Sequence, residues 1–152
     1  MIRPFQPEDA FACCRIIHAC LDADASYPSA LLSKIRAGET AQSMRERAAL
    51  FYVAVYEEEN RLLGFAGLDV NEIRLLYVAP DSRHRGIGRS LFEHIKAMVP
   101  SAVFPEIFVY STIGASGFYG ACGFKDKGPF VFDLGGESLP TVFMTLPLPL
   151  LP

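Results

Sequence analysis

A strand, a basic turn that contains glycine, and an amphipathic helix follow one another directly between Leu76 and Ser90. The strand stops at Pro80, because proline interrupts both regular elements. Beyond Gly88, apolar residues recur at the spacing of one helical face: Leu91, Phe92, Ile95, Met98 and Val99. A strand that leads through a tight turn into such a helix is typical of α/β domains.

Hydrophobic patterns on either side of this unit predict the remaining elements. The predicted strands are Ile2–Arg3, Leu50–Tyr56, Leu62–Val70, Glu72–Val78, Glu106–Thr112, Phe130–Leu134 and Thr141–Leu146. Helices are expected over Pro7–Cys20, around 31–35, over 40–49, from Gly88 to Pro100 and over Ala115–Cys122. Because a meander of strands precedes a strand-helix-strand crossover, we predict an α/β fold with a mixed sheet flanked by helices.

Length and charge restrict the class of protein. The chain has 152 residues, of which 51% are hydrophobic, so we expect one domain over 1–147 and an extended Leu/Pro tail over 148–152. A net charge of -3 disfavours a nucleic-acid partner. The N-terminus lacks the pattern of a signal peptide, and no apolar run reaches the roughly 18 residues of a membrane span. We therefore expect a cytoplasmic protein without a membrane partner.

The four cysteines give no sign of a metal or a disulfide framework. Cys13, Cys14, Cys20 and Cys122 form no Cys-x-x-Cys pair and have no accompanying His-x-x-x-His. We expect reduced thiols and no metal cofactor.

The turn from Arg83 to Ser90 has the chemistry of an anion site. Glycines let a phosphate approach the backbone, a helix N-terminus adds positive potential, and arginines add charge. A dinucleotide-binding motif would need a third glycine where Leu91 stands, and the Gly-Lys-Ser/Thr tripeptide of a P-loop is missing. Both of these familiar phosphate sites are disfavoured.

Two motifs resemble those of the GNAT superfamily of N-acetyltransferases. Arg83-x-x-Gly86-x-Gly88 is similar to the family's R/Q-x-x-G-x-G/A loop. Further on, the run from Ala115 to Phe124 reads A-x-x-F-Y-x-x-x-G-F, which is similar to a second GNAT element. The motifs occur in the family's order and cover about Glu72 to Phe124.

The resemblance implies acetyl-CoA as co-substrate and a GNAT-like domain in which the central parallel strands, the fourth and fifth, splay apart. The pantetheine arm would pair with exposed backbone in that gap. The resemblance places the cofactor on the fourth strand and the loop, at Leu76, Tyr77, Val78, Arg83, His84, Arg85, Gly86, Ile87, Gly88, Arg89 and Ser90. A backbone N–H near Tyr77 would polarise the thioester carbonyl.

Tyr119 and Glu72 are the catalytic candidates. Tyr119 matches the family's catalytic tyrosine and would protonate the leaving thiolate. Glu72 stands eleven positions before Arg83, where some family members carry a glutamate base, while Asp69 and Glu106 remain alternatives. Cys122 lies close to Tyr119, but no histidine is recognisably paired with it, so direct transfer is favoured over an acyl-enzyme.

The acceptor and the partners are left open. We expect a primary amine of a small molecule or peptide, bound by the poorly patterned segments 22–49 and 130–141, where acids would attract a cation. Where the family often has an asparagine after the fifth strand, this chain reads Ser111-Thr112-Ile113-Gly114. That departure leaves a non-catalytic acyl-CoA-binding regulatory module as the alternative. A homodimer through the terminal strands is also open.

Overall fold

The computed structural model describes residues 1–149. Five helices are present in this part of the chain: α1 (Ala10–Asp22), α2 (Ser29–Gly38), α3 (Ala41–Leu50), α4 (Ile87–Lys96) and α5 (Ser116–Ala121). The strands are β1 (Ile2–Pro4), β2 (Tyr52–Glu58), β3 (Arg61–Asp69), β4 (Glu72–Val78), β5 (Glu106–Thr112), β6 (Lys125–Leu134) and β7 (Glu137–Pro147).

All seven strands form one sheet in the order β1-β2-β3-β4-β5-β7-β6. Strands β4 and β5 run parallel because α4 connects them, and every other neighbouring pair is antiparallel. The predicted α/β fold, with a mixed sheet flanked by helices, is confirmed.

The sheet has a separate hydrophobic core on each face. On one face α4 buries Leu91, Phe92 and Ile95 completely against strand residues. On the other face α1 and α3 bury Ile17 and Met44. Each such side chain contributes on the order of 1.5–3 kcal/mol on burial, so both faces stabilise the central strands.

A bulge in β4 decides which side chains face which core. Gly67 of β3 pairs with Leu75, but the next residue, Leu68, pairs with Ile73, so Arg74 is an extra residue. Ile73 consequently packs on the α4 face, whereas Leu75 packs on the α1 and α3 face. Because side chains alternate along a strand, Glu72 lies on the same face as Leu75.

Some element boundaries differ from the sequence prediction. Leu50 ends α3 and does not begin β2. Strand β6 begins at Lys125, because it accommodates Gly128 and Pro129 at a register shift on the edge of the sheet, where proline removes no ladder hydrogen bond. The Leu148 N–H donates to Pro105 C=O at 2.8 Å. The last three residues of the predicted tail, 150–152, lie outside the described residues.

No helix within residues 1–149 combines the length and the apolar character that crossing a membrane requires.

Candidate active site

A gap opens between β4 and β5. The two strands pair only at Glu72 with Phe108 and at Ile73 with Val109. Beyond that point β4 stays bonded to β3 as far as Val78, and β5 stays bonded to β7. Within residues 1–149 the β4 edge from residue 74 to residue 78 therefore has no strand partner, which confirms the predicted splay of the central strands.

The backbone of β4 presents hydrogen-bonding groups to this gap. The Ala79 N–H donates to Leu63 C=O at 2.8 Å, which continues the ladder between β4 and β3. Because hydrogen bonds alternate along an antiparallel strand, the N–H groups of Leu76 and Val78 point away from β3, into the gap. The N–H of Tyr77 points toward β3, so the free donors near Tyr77 belong to its two neighbours.

The loop before α4 holds a run of unbonded backbone donors. No backbone N–H from residue 83 to residue 89 donates a hydrogen bond within residues 1–149, and the first bond of α4 runs from Ser90 N–H to Gly86 C=O at 3.0 Å. Helix N-termini leave such donors free, and the helix dipole adds partial positive charge there. The segment is therefore suited to bind a phosphate.

Two residues of this loop have a left-handed backbone. Gly86, the residue before α4, has φ +81°, and His84 has φ +62°. Glycine adopts this conformation without strain, whereas histidine does so at a cost. A strained non-glycine residue at a loop of free donors is a pattern found at functional sites.

Other side chains of the loop hold it in place. Ile87 is buried in the core under α4. A Cβ atom on Gly88 would lie 3.3 Å from the Phe118 ring, so glycine lets α4 and α5 pack closely. The Arg89 guanidinium donates to Ala121 C=O at 3.3 Å and joins the same two helices.

The remaining arginines have partners as well. Arg85 pairs with Glu58 at 2.8 Å, away from the helix N-terminus, and Arg83 Nη2 lies 3.5 Å from Cys20 Sγ on α1. His84 is exposed. The loop thus offers mainly backbone donors to an anion, and its arginines supply charge at longer range.

A surface pocket of about 320 Å³ adjoins the loop but has the wrong charge for a phosphate. Its two arginines are neutralised by ion pairs, Arg61 with Asp81 and Arg85 with Glu58. Glu59, which forms no ion pair in the described part of the chain, also lines it. The β4 edge from residue 74 to residue 78 and the loop from residue 83 to residue 90 contain no acidic residue, so they are the better anion site.

Tyr119 lies in the core on the α4 face, next to the gap. Its ring packs edge-on against Phe118 and Phe124 with centroids 5.3 Å apart in each case. The hydroxyl has no hydrogen-bond partner among the described residues, yet it is not sealed off from solvent. Burial, with smaller contributions from Tyr77 and Cys122, raises the pKa of Tyr119 well above its usual value, so the phenol stays protonated.

Glu72 lies at the closed end of the gap, on the opposite face. Burial raises the pKa of this carboxyl above its ordinary value, although Arg74, at 3.7 Å, acts against the shift, and Asp69 adds to it. A half-buried carboxylate with a raised pKa is a stronger base than a solvated one. Glu72 therefore does not lie beside Tyr119, because the two side chains are on opposite faces of the sheet.

Comparison with known families settles what kind of domain carries this gap. The family model described as "Acetyltransferase (GNAT) domain" matches residues 23–140. The chain belongs to the GNAT acetyltransferase family. No curated protein sequence matches the chain.

Solved structures share the GNAT fold of this chain over nearly its whole length. A GCN5-related N-acetyltransferase from Rhodopseudomonas palustris has a TM-score of 0.90 and 23% identity, with 97% of this chain and 95% of that chain covered. PaiA N-acetyltransferase from Thermoplasma acidophilum, in complex with coenzyme A, has a TM-score of 0.78 and 18% identity, with 97% and 98% covered. Phosphinothricin acetyltransferase from Sinorhizobium meliloti, in complex with AcCoA, has a TM-score of 0.74 and 18% identity, with 97% and 88% covered.

The position where many GNAT proteins have asparagine has a defined structure here. Ser111 is buried and its hydroxyl donates to Thr112 C=O at 2.7 Å, so this hydroxyl is already used. Thr112 is exposed. Of the two hydroxyls, that of Thr112 donates no hydrogen bond among residues 1–149, so it is the one available to a ligand.

Cys122 does not have the environment of a nucleophile in this GNAT domain. It is half-buried, and burial raises the pKa of its thiol although Arg89 acts in the opposite direction. A thiol that stays protonated is a poor nucleophile. Within residues 1–149, no three His, Cys, Asp or Glu side chains come together as a metal-ligand set.

Two features of the site were not found from the sequence. The Tyr27 hydroxyl donates to Pro140 C=O at 2.6 Å and accepts from Ile113 N–H at 3.1 Å, which ties the α1–α2 connection to β7 and to the turn that follows β5. Aromatic residues also alternate along β5 and β6, at Phe108 and Tyr110 and again further on. The alternation is present in the sequence, but the strand order is what brings these aromatic side chains next to Glu72.

Proposed function

We propose that this GNAT domain is an acetyl-CoA-dependent N-acetyltransferase that transfers the acetyl group to a primary amine by direct attack. The observation that carries the proposal is the unpaired β4 edge next to seven consecutive unbonded amides, 83–89. An extended chain ending in phosphates would satisfy both sets of groups. Structural relatives in complex with coenzyme A or AcCoA support the same reading.

In this proposal the cofactor is held mainly by backbone. Leu76, Tyr77 and Val78 supply the strand edge, and the loop from Arg83 to Ser90 supplies donors for the pyrophosphate. Gly86 allows the turn, and Gly88 keeps α4 close to α5. The N–H groups of Leu76 and Val78 are the donors available to a carbonyl oxygen in the gap.

Acetyl-CoA supplies an activated acetyl group as a thioester. The amine nitrogen attacks the carbonyl carbon, so that a C–N bond forms while the C–S bond breaks. Glu72 accepts the proton that the amine loses, and Tyr119 donates a proton to the departing thiolate. Because the base and the acid lie on opposite faces of the sheet, one serves the incoming amine while the other serves the leaving group.

The remaining expectations belong to this proposal. The domain would span 1–147, with 148–152 as its tail. A cytoplasmic setting agrees with an acetyl-CoA substrate and with four cysteines that form no disulfide in the described part of the chain. The acceptor would be a small molecule or a peptide.

Titration with acetyl-CoA tests the proposal before any acceptor is chosen. We expect saturable binding of acetyl-CoA by calorimetry, similar binding of desulfo-CoA, and weak competition by ATP, because ATP lacks the pantetheine arm that the β4 edge would bind. Release of free thiol on addition of a primary amine should follow. Absence of binding would refute the proposal, whereas binding without thiol release for any amine would favour the regulatory module.

Replacing Glu72 with glutamine tests the base. We expect E72Q to lower kcat at neutral pH by about tenfold or more, with acetyl-CoA affinity unchanged, because the ammonium form of the acceptor has lost its proton acceptor. The penalty should shrink as the pH approaches the pKa of the acceptor amine, where free amine is abundant. The measurement is the pH profile of kcat for E72Q and for the unaltered chain. A penalty that does not vary with pH would remove Glu72 from proton transfer.

A further inference from the structure

Five aromatic rings form one continuous cluster on the sheet face opposite α4. Ile107 and Val109 of β5 pack under α4, so the residues that alternate with them face the other side. Tyr110 is at the centre, with ring centroids 5.0 to 6.0 Å from its four neighbours. This cluster, the aromatic face, consists of Phe108, Tyr110, Phe130, Phe132 and Phe143.

The aromatic face is not part of either hydrophobic core. None of its five members is buried, and Phe130 is 44% exposed. The helices α1 and α3 cover β2, β3 and β4, whereas α2 contacts β7. The Tyr110 hydroxyl has no hydrogen-bond partner among residues 1–149. Partly exposed rings still gain favourable free energy when more of their apolar surface is removed from water. The surface is therefore suited to a ligand that covers the rings.

The aromatic face joins the proposed catalytic site directly. Glu72 pairs in register with Phe108 across parallel strands, so both side chains lie on one face of the sheet. Tyr110 is the first outward-facing β5 residue beyond the last pair between β4 and β5, and it borders the gap. The base candidate, the opening and the rings are therefore contiguous.

The charged side chains at the end of the aromatic face next to Glu72 favour a cation. Asp69 pairs with Glu72 and shares its face, and Glu106 lies two residues before Phe108 on the same face of β5. Arg74 contacts Asp69 and Glu72, but Glu106 forms no ion pair within the described residues. Lys125 of β6 shares this face, because it pairs with Thr145, which in turn pairs with Phe108. Three carboxylates against Arg74 and Lys125 still leave net negative charge next to the apolar surface.

We propose that the acceptor is a primary amine carried on an aromatic group. Its ring would lie against the aromatic face, and its ammonium group would approach Glu72 at the closed end of the gap, with Glu106 beyond it on β5. Ring-to-ring contacts and a nearby carboxylate both favour such a ligand, whereas a polyamine or a lysine side chain would leave the rings uncovered. This inference rests on the proposed N-acetyltransferase function and specifies its substrate class.

Steady-state rates on matched amines test the inference. We expect kcat/KM for 2-phenylethylamine to exceed that for putrescine and for Nα-acetyl-lysine amide by about tenfold or more, as apolar pocket contacts typically discriminate. Phe130→Ala, at the exposed edge strand, should lower kcat/KM for 2-phenylethylamine by about tenfold, with acetyl-CoA affinity preserved. Val131→Ala is the matched control, because Val131 is exposed on the same strand but points to the other face.

Ligand-observed NMR with 2-phenylethylamine gives a readout that does not depend on turnover. Saturation transfer to the phenyl protons, weakened by Phe130→Ala but not by Val131→Ala, would support the aromatic site even if no amine released thiol; in that case the N-acetyltransferase proposal alone would fail. Equal or faster turnover of putrescine or the lysine derivative, with no effect of Phe130→Ala, would overturn the aromatic acceptor while the enzyme activity stands.

A second copy of the chain could also cover the aromatic face, and sedimentation tests for it. A dimer that Phe130→Ala dissociates, with amine selectivity unaltered, would make the aromatic face a subunit interface and would overturn the proposal. A monomer at micromolar concentration, together with the selectivity above, supports it.

Discussion

Gly86→Val is expected to weaken acetyl-CoA binding by about a hundredfold or more, which corresponds to about 2.7 kcal/mol. Gly86 has φ +81° at the junction between the loop and α4, a conformation that β-branched residues avoid. Valine would pull this residue toward negative φ, and the unbonded amides from 83 to 89 would no longer converge. Calorimetric titration with acetyl-CoA measures the loss.

Two further variants separate the loop geometry from a general loss of stability. Gly86→Asn retains a residue that tolerates left-handed backbone, so it should lose much less affinity than valine if the dihedral angle is the cause. Gly38→Ala is the remote control, because a Cβ atom there meets nothing within 4 Å and the residue lies at the end of α2. Unchanged affinity in Gly86→Val, with a folded circular dichroism spectrum, would place the phosphates elsewhere.

The sequence predicted those parts of the site that depend on local patterns. The turn and helix from Arg83 onward could be predicted because glycine spacing and a 3.6-residue hydrophobic period both occur within one short segment. The gap could not be predicted from a local pattern. It depends on where β4 stops pairing with β5, and the paired β5 residues lie more than thirty positions after their β4 partners in the chain. It was anticipated from the resemblance to GNAT proteins.

Other features depend on long-range packing that no local pattern encodes. The bulge at Arg74 decides that Glu72 shares a face with Leu75, and a period-2 pattern alone would have assigned the opposite face to one half of β4. Likewise Tyr110 and Phe143 are stacked with centroids 5.1 Å apart only because β7 pairs with β5. Strand order, which a single sequence specifies weakly, therefore determines the acceptor side of the site.

Tyr119→Phe is expected to lower kcat by about a hundredfold while acetyl-CoA affinity changes by less than about twofold. The phenol has no hydrogen-bond partner within residues 1–149, and burial raises its pKa, so at ordinary pH it is a protonated donor that this part of the chain does not otherwise use. Phenylalanine keeps the edge-on packing against Phe118 and Phe124, so the fold should be retained. Single-turnover thiol release measures the effect, and Tyr56→Phe, on β2, is the matched control.

The pH dependence distinguishes the acid from the base. A thiolate needs no proton once the pH exceeds the pKa of the coenzyme thiol, so the Tyr119→Phe penalty should shrink above that pKa whichever amine is used. The E72Q penalty should instead follow the pKa of the amine, because Glu72 acts on the acceptor. If both penalties moved together when the amine was changed, the two residues would act on the same proton, and the assignment of Tyr119 to the leaving group would be wrong.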